Sequence, residues 1–111
     1  MHGPHRLTPE EIDRVLPGVH PGNFAVGYRR DDGKFVVRYV GRADSNLNRM
    51  LKQQESDSST WFAWSYAESE KSAYDKECTI YHEFGETAGL ENEEHPLPPT
   101  QTRWRCPVCG Y

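Results

Sequence analysis

Apolar and polar positions fall into three short stretches with strand character and three with helical spacing. Asn23 to Tyr28 and Phe35 to Val40 are β-branched and aromatic runs, with Arg29-Arg30-Asp31-Asp32-Gly33-Lys34 between them. An Asp-Gly pair in that place predicts a hairpin. Trp61 to Ala67 alternates as a third strand would, which puts Trp61 and Trp64 on opposite faces. One of them is then available to stack on a nucleobase, although core packing against a helix is the commoner use.

The helical stretches carry their own start and stop signals. Thr8-Pro9-Glu10-Glu11 reads as an N-cap, a Pro at the first position and a capping box, with Ile12, Val15 and Leu16 as the apolar stripe and Pro17-Gly18 as the end. Gly41 is expected to break the second strand. Asp44 or Ser45 would then cap a helix whose inward positions are Leu47, Met50 and Leu51. Ser69 caps a longer helix running to about Phe84, stopped by Gly85. Met1 to Leu7 reads as a flexible start. Residues 86–100 are acidic and then proline-rich, which prevents regular structure. The pattern predicts a small α+β fold, a three-stranded and mainly antiparallel sheet flanked by helices. An N-terminal arm and short helix (1–19) precede the main domain (20–95), and a tail (96–111) packs on it.

Composition adjusts this picture in two places. At 111 residues the chain makes one domain, and 35% hydrophobic content allows only a modest core. The net charge of -4 argues mildly against nucleic acid. Its distribution argues the other way: seven basic residues stand against three acidic between Gly22 and Gln54, and two against eleven between Glu55 and Glu94. A basic half on an acidic protein attracts phosphate locally, and a solvated charge mosaic explains the same numbers about as well. No long apolar run, signal-peptide pattern or lipidation motif is present, so a cytoplasmic protein with no membrane partner is expected.

Three cysteines are an odd number for a disulfide framework. Cys106-Pro107-Val108-Cys109-Gly110 is a metal knuckle: two thiolates at Cys-x-x-Cys spacing, a Pro restraining the turn and a Gly freeing backbone N–H groups. Cys78 and His82 lie four apart on one helix face and complete a closed tetrahedral site for structural zinc, with His95 the substitute for His82. The alternatives are a redox pair, half of an iron knuckle, or a Cys78 that is simply a buried thiol. A closed four-ligand site leaves no position for a reacting water, so its role would be to clip the tail to the helix.

A strand that turns directly into a helix brings its last side chains beside the first helical turns. Tyr39 and Arg49 would then meet over one surface, a phenol that handles protons beside a guanidinium that grips phosphate. Gly22-Asn23-Phe24, a hairpin, Tyr39-Val40-Gly41 and an Arg ten residues beyond that Tyr resemble the GIY-YIG nuclease superfamily. The resemblance spans roughly residues 20–95. Each three-residue motif is weak alone, and the ordered set is more specific.

The resemblance implies a GIY-YIG-like fold and a divalent-metal-dependent endonuclease acting on nucleic acid, DNA ahead of RNA. Tyr39 would act as general base or orient water, and Arg49 would stabilise charge on the phosphate. Glu77, in the Ala73-to-Glu77 context of the family, would hold Mg²⁺ or Mn²⁺. Arg42 and Lys52 would contact phosphate, while Gly22, Phe24, Gly41 and Asn92 would shape the site. Phe24 stands where the family carries Tyr, which keeps the ring and loses the hydroxyl. The other reading is therefore an inactive module of the same fold, zinc-stabilised, that binds nucleic acid or protein. A protein partner or a homodimer would supply specificity to so small a domain.

Overall fold

The computed structural model describes residues 1–111. In chain order the elements are β1 (His2–Arg6), α1 (Pro9–Val15), β2 (Gly22–Arg29), β3 (Phe35–Ala43), α2 (Leu47–Lys52), β4 (Trp61–Tyr66), α3 (Glu70–Glu83) and α4 (Glu86–Gly89). The expected α+β class holds, and the sheet is antiparallel with order β1-β4-β2-β3. It has four strands. The start of the chain, expected to be flexible, pairs with β4, His5 opposite Phe62 and Arg6 opposite Trp61. The Gly and Pro there suit an edge strand, where one row of N–H groups needs no partner.

Helices cover both faces of the sheet. On one, Leu7, Ile12 and Leu16 from the α1 region and Leu47 and Leu51 from α2 bury against Phe24, Val26, Phe62 and Trp64. On the other, Ile80 and Tyr81 of α3 pack with Ala25, Val40 and Leu90. Trp61 and Trp64 separate as alternation demands: Trp64 joins the core and Trp61 stays half-buried outside it.

The caps differ from expectation in two cases. Thr8 accepts from Glu11 N–H at 3.2 Å and Ser69 from Ser72 N–H at 3.1 Å, the N-caps the sequence predicts. The capping box expected at Thr8 forms at Ser69 with Ser72 instead, because the Glu11 carboxylate turns to Arg14. The cap of α2 is Asn46 rather than Asp44 or Ser45, its side chain accepting from Arg49 N–H at 3.0 Å. The reason is that β3 does not stop at Gly41 but runs on to Ala43. Gly41 makes room instead of breaking the strand. A Cβ there would sit 2.5 Å from Cζ of the Phe24 ring, which pairs opposite it. Gly22 is similar, with Leu47 Cδ2 2.7 Å from where its Cβ would be. The glycines of both three-residue motifs thus serve close packing.

β3 is a sheet edge, and residues 91–92 cover it. Glu91 N–H donates to Arg38 C=O. The Asn92 amide donates to Val40 C=O at 2.9 Å and accepts from Val40 N–H at 3.1 Å. One side chain thereby reproduces a ladder pairing and leaves less of the edge open to another chain.

Candidate functional site

Two clusters of chemically capable side chains flank the 91–97 segment. The first is a hollow of about 400 Å³ lined by Tyr39, Glu77 and residues 91–97. Glu77 arrives from α3 with Ala73, Tyr74, Ile80 and Tyr81, all buried on the helix's inward side. Its Oε1 accepts from Arg42 Nη1 at 2.5 Å, and Arg42 Nε donates to Asp44 Oδ1 at 2.9 Å. The guanidinium also lies 5.4 Å from the Tyr74 ring centroid, so two carboxylates and an aromatic face hold it.

Burial pushes the Glu77 carboxyl above its usual range and Arg42 pulls only partly against it. Arg42 itself is held above its ordinary value, because Glu77 and Asp44 outweigh the burial that would lower it. Burial, and then the Glu77 charge, raises the Tyr39 phenol. Tyr39 is therefore neutral near pH 7 in the free protein, and its ring stacks on Phe24 with centroids 6.1 Å apart.

Of the residues expected to act together, the hollow unites Tyr39 and Glu77, with Arg42 bonded to Glu77. Arg49 does not line it. Leu47 and Leu51 point inward, which turns Arg49 toward a separate depression with Asp44, Asn46 and Gln53. Lys52 is engaged elsewhere, its Nζ donating to Asp13 of α1 at 2.7 Å. Asn92 lines the hollow while clamped to Val40. Asn23 has a role that sequence reasoning missed: its buried amide donates to Ala73 C=O at 2.8 Å and ties β2 to α3. A buried Asn inside a strand motif was the available signal.

The second cluster is His82, His95, Cys106 and Cys109, whose ligand atoms all lie within 4.8 Å of one another and could hold a metal such as zinc. His82 Nε2 and His95 Nε2 are 3.2 Å apart, and each is 3.4 Å from one sulfur, Cys106 and Cys109 respectively. A tetrahedral zinc spaces two nitrogens by ~3.3 Å and a nitrogen and a sulfur by ~3.6 Å, so these three pairs fit. The outer ring nitrogens are occupied. His82 Nδ1 lies 2.6 Å from Glu86 Oε2 and His95 Nδ1 lies 2.8 Å from Pro96 O. If each Nδ1 carries the proton, both Nε2 lone pairs face the shared centre, the arrangement metal-bound histidines adopt. Burial disfavours a Cys106 thiolate, yet the Cys109 and Val108 N–H groups and His95 bring its pKa down to about 6.

Cys78 stands outside this set, contrary to the sequence expectation. It is fully buried, packed with Tyr74, Cys106 and Trp104, and burial pushes its thiol up to about 12. Its place is taken by His95, which substitutes for Cys78 and not for His82. Helical spacing correctly put Cys78 and His82 on one side of α3, and both meet the tail, but only His82, a turn later, has its ligand atom among the convergent four. Comparisons of the chain with family models, curated proteins and solved structures return no match. No helix is long and apolar enough to cross a membrane.

Proposed function

We propose that this chain is a GIY-YIG-type nuclease domain that hydrolyses phosphodiester bonds in DNA, with a structural zinc on its tail. The observation that carries the reading is the convergence of Tyr39 and Glu77, distant in sequence, on one hollow with Arg42 beside them. Glu77 would offer a carboxylate oxygen to a hard divalent cation such as Mg²⁺ or Mn²⁺, with water and substrate oxygens completing its shell. When bound there, such an ion would neutralise charge on a phosphate oxygen. Tyr39, neutral and half-exposed, would orient the attacking water by hydrogen bonding. Arg42, exchanging Glu77 for substrate, would fork onto a phosphate oxygen. Zinc on His82, His95, Cys106 and Cys109 would hold the tail and leave no open coordination position.

The test is nicking of plasmid or branched DNA with Mg²⁺ or Mn²⁺. Wild type should cut, and Glu77→Ala and Tyr39→Phe should lose at least 10²-fold in rate. Equal cutting by wild type and Glu77→Ala would remove the mechanism. A second reading, an inactive module that binds nucleic acid or protein, is favoured by two observations. Arg42 occupies the Glu77 carboxylate, and Phe24 lacks the hydroxyl of the motif. Salt-sensitive binding with no products under any divalent cation is its signature.

A further inference from the structure

The hollow that would hold the reacting phosphate is poor at attracting a nucleic acid. Glu91, Glu93 and Glu94 line it with Glu77, and none of the lining residues is Lys or Arg. Phosphate affinity must come from elsewhere on the surface.

Trp61, the first residue of β4, carries two guanidinium groups. Arg29 Cζ lies 4.7 Å and Arg6 Cζ 5.3 Å from the ring centroid. Strand pairing brings them there: Arg6 is opposite Trp61 on β1, and Gly27, two residues before Arg29, is opposite Trp61 on β2. Both arginines are exposed, and neither has a carboxylate partner within ion-pairing distance. Arg14, Arg30, Arg38 and Arg42 each have one; Arg49, Arg103 and Arg105 also lack one, but only Arg6 and Arg29 share an aromatic ring. Arg6 and Arg29 approach the indole from the strands on either side of β4, and an anion within reach of both relieves their mutual repulsion. Glu10 and Glu11, which share a depression with Arg6 and Trp61, form no ion pair with Arg6. Each guanidinium lies within cation–π distance of the ring, and with no carboxylate bound to it its N–H groups remain for charge-assisted bonds to phosphate. Arg29 gives only Nε to Gly33 C=O, at 3.3 Å, and keeps its terminal nitrogens free.

We propose that Arg6, Trp61 and Arg29 form a second contact for the phosphate backbone of a nucleic acid, at the hairpin end of the sheet and apart from the hollow. The choice of nucleic acid as occupant rests on the nuclease reading, whereas the anion site itself rests on the two arginines beside the ring. The experiment is fluorescence anisotropy of a labelled duplex oligonucleotide against the full chain over a series of NaCl concentrations. Divalent cations and chelators are both left out, so that nothing is cut and the metal centre is not stripped. Arg6→Gln with Arg29→Gln should weaken binding at least tenfold at low salt. The slope of log affinity against log salt should fall by about two. The control pair Lys71→Gln with Arg103→Gln, which removes the same charge elsewhere, should leave both unchanged. Wild-type affinity and slope in the first pair would overturn the proposal, as would an equal loss in the control. Competition by polyglutamate as effective as by DNA of equal charge would also overturn it, in favour of an acidic protein partner. Arginine-dependent binding by a wild-type chain that cuts no substrate would uphold this surface and remove the nuclease reading.

Discussion

Asn92 pairs its side-chain amide with both backbone groups of Val40, donating to the carbonyl and accepting from the N–H. The contact spans 52 residues of sequence and is buried. It fixes the segment that forms one wall of the hollow to the residue beside Tyr39.

Replacing Asn92 by Ala should therefore cost about 2 kcal/mol, two hydrogen bonds at roughly 1 kcal/mol each. Urea denaturation of the two proteins measures it. An unchanged midpoint and slope would mean that water takes over both bonds without loss.

Gly41 and Phe24 form a second long-range pair, ring against missing side chain. Gly41→Ala should destabilise by about 1–3 kcal/mol through overpacking. Phe24→Leu in the same background should recover part of that loss, and a double-mutant cycle gives the coupling. Additive effects would show that the ring does not set the need for glycine.

The metal set predicts a pattern of retention. Purified protein should carry one zinc per chain, and a cobalt-substituted form should show the thiolate absorption of a tetrahedral site. His95→Ala and Cys109→Ser should lose the ion. Cys78→Ala should keep it, at a cost of about 1 kcal/mol for the small apolar group removed. Loss of metal in Cys78→Ala with retention in His95→Ala would restore the ligand set read from helical spacing.

The raised carboxyl of Glu77 fixes the sign of a pH effect. A group whose folded pKa lies above its unfolded value contributes most stability below the unfolded value, and that contribution fades as pH rises through the folded one. Its ordinary value is 4.5. The stability of wild type relative to Glu77→Gln should thus fall as pH rises from about 4.5 toward neutrality. The free energy of unfolding at several pH values reads it directly. A rise over that interval would mean that Arg42 outweighs burial.

The hairpin, the cap of α3 and the inward leucines of α2 could be read from the sequence because their signals are local. Asp-Gly, Ser69 and the four-residue spacing of Leu47 and Leu51 each act within a turn or two. β1 could not be read, since its strand character comes from pairing with β4 and not from the residues His2–Arg6. His95 was reachable only as a substitute, because the proline-rich segment has no periodicity to say where a side chain lands. The Arg42–Glu77 pair joins positions 35 apart with no shared motif to announce it. Arg49 shows the converse: its offset from Tyr39 is clear in sequence, but the run of β3 past Gly41 and the cap at Asn46 turn it away.

His95 belongs to both clusters, its imidazole among the four groups that could hold a metal and its residue in the wall of the hollow. With Asn92 anchored on the sheet, the intervening chain resembles a short bridge resting on two abutments. Withdrawing the ion would remove one abutment while the sheet stayed folded. The cleft would then gape from its far end, and occupancy of the metal centre would report on how well the neighbouring groups are aligned.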